Sequence, residues 1–115
     1  MAFDTQLVDR VRSYLAAVPG LEIEEKKMFS GLAFLVNGKM CVNISHDRLM
    51  CRFDPKRHEE VAERPGFRPM VMKGKEMNGY CYVEPEAIRT PSILHHWIQT
   101  CLDFNKEAKA SRRKK

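Results

Sequence analysis

The chain has 115 residues, 43% of them hydrophobic and 30% charged, with a formal charge of +5 at pH 7. That is the size of one domain, too short for a second, and long enough to bury most of its apolar surface without a metal or disulfide staple. No apolar run approaches the about 18 residues of a membrane helix, and the N-terminus carries no signal-peptide core, so no membrane contact and a cytoplasmic location are expected.

Asp4 reads as a helix N-cap, with Phe3 and Val8 placed as a hydrophobic staple. Leu7, Val8, Val11, Leu15 and Val18 recur at helical spacing until Pro19-Gly20, which predicts a first helix over about 5–17. From Leu21 the period becomes two. Residues 30–36 lead into Asn37-Gly38, the dipeptide that suits a type I′ hairpin turn because both positions need positive φ. A two-residue loop there sets Leu35 opposite Met40, Ala33 opposite Val42 and Gly31 opposite Ile44. A second turn at His46-Asp47 sets Ile44 opposite Leu49, Val42 opposite Cys51 and Met40 opposite Phe53. Both hairpins then share one apolar face, as a well-specified register requires. The same register puts Cys41 and Cys51 on opposite faces. It leaves Leu32, Phe34, Val36, Cys41 and Met50 on a second face, among Lys39, Asn43, Arg48 and Arg52. A face of that mixture is too apolar for water and is expected to be covered, by another element or by a second copy of the chain.

Asp54-Pro55 opens a short helix that ends at Pro65-Gly66. Residues 67–73 and 79–83 read as two further strands, linked by residues 74–78. Thr90-Pro91 starts a last helix, whose Ile93, Leu94, Trp97, Ile98, Cys101, Leu102 and Phe104 form a broad apolar stripe. The expected fold class is α+β, a two-layer domain over 1–105 with an antiparallel sheet of about five strands, in the order helix, three strands, helix, two strands, helix. Residues 106–115 are expected to be a flexible basic tail. They hold six basic side chains and one acid, which accounts for the whole +5, while residues 1–105 balance at 14 basic and 14 acidic.

The chain is poor in chemistry-bearing motifs. His46, His58, His95, His96 and the cysteines fall in none of the usual metal-ligand spacings, so no metal is expected. Cys41, Cys51, Cys81 and Cys101 contain no CxxC and read as reduced, mostly buried thiols. Cys51 lies near His46, but the hairpin aims it at the core, away from any nucleophilic role. Glu24-Glu25, Glu59-Glu60 and Glu84-Pro85-Glu86 read as solvated charge, and Lys73-Gly74-Lys75 as a hairpin mouth rather than a phosphate loop. No catalytic residue, cofactor or enzyme activity is expected. Six of the seven methionines, Met28, Met40, Met50, Met70, Met72 and Met77, cluster in the strand region, where core filling is the plain reading; Met50, on the second face, suits an adaptable contact surface. Lys109, Arg112, Arg113, Lys114 and Lys115 either aid solubility or contact phosphates without reading sequence. Tyr80 and Tyr82 alternate on one strand, a spacing common in sheets generally.

Lys27-Met28-Phe29-Ser30-Gly31-Leu32-Ala33-Phe34, then Asn37-Gly38-Lys39-Met40 and Leu49-Met50-Cys51-Arg52, resemble the N-terminal domain of the TfoX (Sxy) family. So do Arg68-Pro69-Met70, Met77-Asn78-Gly79-Tyr80 with Tyr82-Val83, and Leu94 with Trp97. Ser30 stands where the family usually has a second glycine. The resemblance, over about residues 7–104, implies a two-layer α+β domain of the kind found in bacterial regulators of natural competence, which act beside the cyclic-AMP receptor protein at promoters rather than as enzymes. Full-length members carry a C-terminal domain for which this chain has no space. The resemblance implies a family-motif surface of Lys27, Met28, Phe29, Gly31, Asn37, Gly38, Met77, Gly79 and Tyr80.

These readings combine into a non-enzymatic, single-domain interaction module, expected to be a homodimer through Leu32, Phe34, Val36 and Met50. A protein partner in transcription is expected, with non-specific attraction of DNA or RNA by the tail. The alternative is a small-ligand binder, or an enzyme, using a groove between helix and sheet near Lys27, Phe29 and Tyr80. A third reading is an interaction chaperone working through an exposed sheet face.

Overall fold

The computed structural model describes residues 4–28 and 31–106. Asp4 caps α1 (Thr5–Ala16), its carboxylate accepting the N–H groups of Gln6 at 2.9 Å and Leu7 at 3.3 Å. Leu7, Val8, Val11 and Leu15 form the buried stripe of that helix. The strands are β1 (Ile23–Met28), β2 (Gly31–Val36), β3 (Lys39–Ser45), β4 (Arg48–Arg52), β5 (Phe67–Met72) and β6 (Lys75–Val83). Between β4 and β5 a 3-10 turn (Pro55–Arg57) runs into α2 (His58–Val61), and α3 (Pro91–Asn105) follows a second turn at Ala87–Arg89.

One antiparallel sheet holds all six strands in the order β1-β2-β3-β4-β6-β5. The expected five strands become six because Ile23–Met28, sequence IEEKKM, pairs along its length with β2. Its charged side chains hid it: an outer strand keeps a full ladder on one side without needing apolar alternation on both faces. Two-residue loops at Asn37-Gly38, with φ of 54° and 83°, and at His46-Asp47 close the first hairpins as expected. The β5–β6 hairpin is tighter than expected. Lys73 and Gly74, with φ of 53° and 80°, form its whole loop, and β6 begins at Lys75. Pro69 is tolerated because β5 is an outer strand.

The register across β2 and β3 overturns the assignment of faces. Leu35 lies opposite Met40 as expected, but Phe34 lies opposite Val42, Ala33 opposite Asn43 and Leu32 opposite Ile44. Cys41 is therefore an extra residue on β3, a β-bulge that moves the pairing by one and exchanges faces beyond it. Leu32, Phe34 and Val36 consequently face the helices, in one core with Val42, Ile44, Leu49 and Cys51. Cys41 joins the same core, so Cys41 and Cys51 do not lie on opposite sides of the sheet.

Every buried apolar residue of the three helices belongs to that core. Leu7, Val11 and Leu15 of α1, Val61 of α2, and Leu94, Trp97, Ile98 and Cys101 of α3 all pack against it. Trp97 is fully buried there, with the Arg64 guanidinium 5.0 Å from its ring centroid and Arg64 donating to the Thr100 hydroxyl at 2.8 Å. The four cysteines converge in this layer. Burial pushes the Cys51 thiol well up, while hydrogen bonding to Cys101 and burial do the same for Cys41. Cys101 thus bridges α3 to two strands through thiol contacts in an interior that holds all four cysteines free and buried.

Candidate functional site

The opposite face of the sheet has a second cluster, built from strands alone. Ala33, Leu35, Met40, Met50 and Met70 are buried there, with Met77, Tyr80 and Tyr82 packed against them. No helix residue contributes, so strand side chains must shelter one another. β6 supplies much of that shelter by bending. Pro69 pairs with Cys81 and Val71 with Glu76, so two steps along β5 match five along β6. The surplus includes Gly79, whose φ is 87°. Its N–H donates to His58 Nδ1 at 3.2 Å and its carbonyl accepts from the Phe53 N–H at 2.8 Å. The bend lets the end of the β5–β6 hairpin and the body of the sheet line one cleft of about 320 Å³, walled by Met50, Met70, Val71, Met72, Met77, Tyr80 and Tyr82.

Thioether and phenol side chains give this cleft its character. Methionine is flexible and polarizable, and it meets aromatic edges favourably, so the walls can fit more than one apolar shape. The Arg48 guanidinium lies 4.0 Å from the Tyr82 ring centroid, placing a cation beside the cleft. Val71 and Met72 at the rim are 57% and 54% exposed, the large hydrophobic side chains left in solvent among the described residues.

His58 forms the other cluster of titratable groups. Gly79 N–H can only donate, so Nδ1 accepts and the ring hydrogen sits on Nε2, which donates to Glu76 Oε2 at 2.7 Å. Phe53 stacks on the ring at 5.8 Å and Phe67 meets it edge-on at 5.7 Å. Both nitrogens are engaged within the protein, which makes His58 a link between α2 and the bend in β6 rather than a base facing a substrate. Among the described residues no group of three or more His, Cys, Asp or Glu side chains is arranged to hold a metal ion. No helix among them is long and apolar enough to cross a membrane.

The family-motif residues separate. Met77 and Tyr80 wall the cleft and Gly79 makes its bend. Asn37 and Gly38 form the first hairpin turn, where the Asn37 side-chain oxygen accepts the Glu22 N–H at 3.0 Å and ties down the start of β1. Gly31 is required for closeness: a Cβ there would run into the Ile44 carbonyl. Lys27 is exposed and paired with Leu32, on the helix side of the sheet, opposite Tyr80. The groove expected between helix and sheet therefore does not join Lys27 to Tyr80. Met28 lies in β1, and its side chain, Phe29, Lys109, Arg112, Arg113, Lys114 and Lys115 lie outside what the structure describes. Of the side chains expected to form a contact face, Met50 alone opens on the cleft; Leu32, Phe34 and Val36 are sealed beneath the helices by the bulge at Cys41. Val71 and Met72 were not singled out from the sequence, although the alternation in FRPMVM pairs Met70 with Met72.

The model of the TfoX N-terminal domain matches residues 13–105. The chain belongs to the TfoX N-terminal domain family. The match runs from within α1 to the last residue of α3, so it takes in the whole sheet, the cleft and the buried thiols. No curated protein and no solved structure matches this TfoX N-terminal domain.

Proposed function

We propose that this TfoX N-terminal domain is a non-enzymatic, competence-regulator-like module that works by macromolecular contact through the helix-free face of its sheet. The methionine and tyrosine cleft carries the reading. An adaptable apolar recess with Val71 and Met72 exposed at its rim has the make-up of a contact surface, because an apolar patch left in water is a cost that association removes. The neutral body leaves recognition to shape and apolar contact, while Lys109, Arg112, Arg113, Lys114 and Lys115 add non-specific attraction to DNA or RNA. Membership of a family of competence regulators supports a role beside the transcription machinery in the cytoplasm.

The test is expression of the full chain in a naturally competent bacterium carrying a competence-promoter reporter. The expected outcome is a change in reporter output that Met72→Glu, at the exposed rim of the cleft, removes, with the variant's thermal melting unchanged. A reporter indifferent to the wild-type chain overturns the regulatory role, and a response that survives Met72→Glu overturns the use of this face.

A further inference from the structure

We infer that the helix-free cleft takes single-stranded DNA, whose bases stack on Tyr80 and Tyr82 while its phosphates meet Arg48 at one end and Lys73 and Lys75 at the other. The inference rests on reading this face as a contact surface, and it names the occupant. Charge selects a polyanion. The Arg48 guanidinium, 4.0 Å from the Tyr82 ring centroid, makes no ion pair among the described residues. Lys73 and Lys75, both exposed, lie between Met72 and Met77 of the cleft wall. The acidic neighbours on and after β6 are engaged elsewhere, Glu76 with His58 at 2.7 Å and Glu84 with Arg68 at 2.6 Å. Cations therefore stand at both ends of an apolar recess whose nearby carboxylates already have partners.

The spacing of those cations and the make-up of the floor narrow the ligand further. β5 runs from Arg68, opposite Tyr82, to Met72, opposite Lys75, which is four residue steps or about 13 Å of strand. A fatty acid carries one charged end and would answer only one group of cations. A nucleic-acid strand repeats its charge along the whole span. Between the cations, two part-exposed tyrosines on a sheet face without helices offer rings on which unpaired bases stack, and the guanidinium over Tyr82 adds a further plane. In a duplex those base faces are already covered by one another, so the recess of about 320 Å³ has nothing to hold. Methionine and valine walls give a ribose 2′-hydroxyl no polar partner beyond two phenols, which selects DNA over RNA.

Fluorescence anisotropy of the full chain with a labelled oligothymidylate, against a duplex of the same length, tests this at about 0.2 M salt, where contacts from the basic tail are weakened for both ligands. The single strand is expected to bind about tenfold more tightly than the duplex, since only it can stack. Met72→Glu and Arg48→Gln are each expected to remove most of that preference with thermal melting unchanged. A strand carrying 5-bromouracil is expected to crosslink to Tyr80 or Tyr82 on irradiation, a readout that the tail cannot supply. Equal affinity for the two ligands overturns the inference, as does a preference that survives both variants. Crosslinks at neither tyrosine, or tighter binding of oligouridylate than of oligothymidylate, overturn it too. A chain that lacks the single-strand preference, yet whose competence reporter response is lost in Met72→Glu, leaves the contact reading standing and removes only the DNA.

Discussion

Gly79 holds a backbone conformation that an L side chain resists, in a place with no room for one. Its φ is 87°, and a Cβ there would come within 2.9 Å of the Phe53 carbonyl oxygen and 3.0 Å of Pro55 Cγ. The same residue anchors His58 and accepts from Phe53, so the bend in β6 and the seat of α2 depend on one glycine. Gly79→Ala is expected to destabilise the fold by about 2 kcal/mol or more, which for a chain of this size is a fall in Tm of roughly 10 °C. An unchanged melting temperature would show that the bend tolerates a side chain. Gly31 answers to a different constraint, closeness to the Ile44 carbonyl, with no positive φ involved. Two glycines of one family motif set thus serve two separate steric ends.

The charged outer strand β1 is tied to α1 by a fork. Arg12 donates from Nε to Glu25 Oε2 at 2.6 Å and from a terminal nitrogen to Oε1 at 2.8 Å. This bond holds the Glu25 carboxyl below its ordinary range. A depressed carboxyl pKa contributes stability above the unfolded value of about 4.3 and loses it as pH falls through the folded value. Both side chains are partly exposed, so Glu25→Gln is expected to cost only about 0.5 kcal/mol at neutral pH and low salt. Denaturant melts should show that difference vanish at acid pH; a gap that persists there would assign it to packing. The helices, the first two hairpin turns and five of the six strands were legible from periodicity, Asp4, Pro91 and Asn37-Gly38, because each signal acts over a few residues. β1 was not legible, since its stability comes from the β2 ladder and not from its own side chains. The bulge at Cys41 was not legible either. One inserted residue leaves the local alternation intact and yet reverses which face Leu32, Phe34 and Val36 occupy.

The molecule as a whole joins a neutral body to a cationic end, and the two should separate experimentally. Titration of duplex DNA with the full chain is expected to give weak binding whose logarithm falls with log salt at a slope of about −5, and truncation after Asn105 should abolish it. Binding unaffected by the truncation would move the nucleic-acid surface onto the body. The order of charges along the chain located that charge, the apolar periods alone called for a two-layer α+β domain, and the motifs alone pointed to the family. All of these are carried by neighbours along the chain. Which sheet face meets the helices, where the four thiols gather and where the apolar cleft opens depend on contacts between distant residues. The bulge at Cys41 and the bend at Gly79 settle those contacts by re-aiming whole stretches of strand, which no local pattern of side chains records.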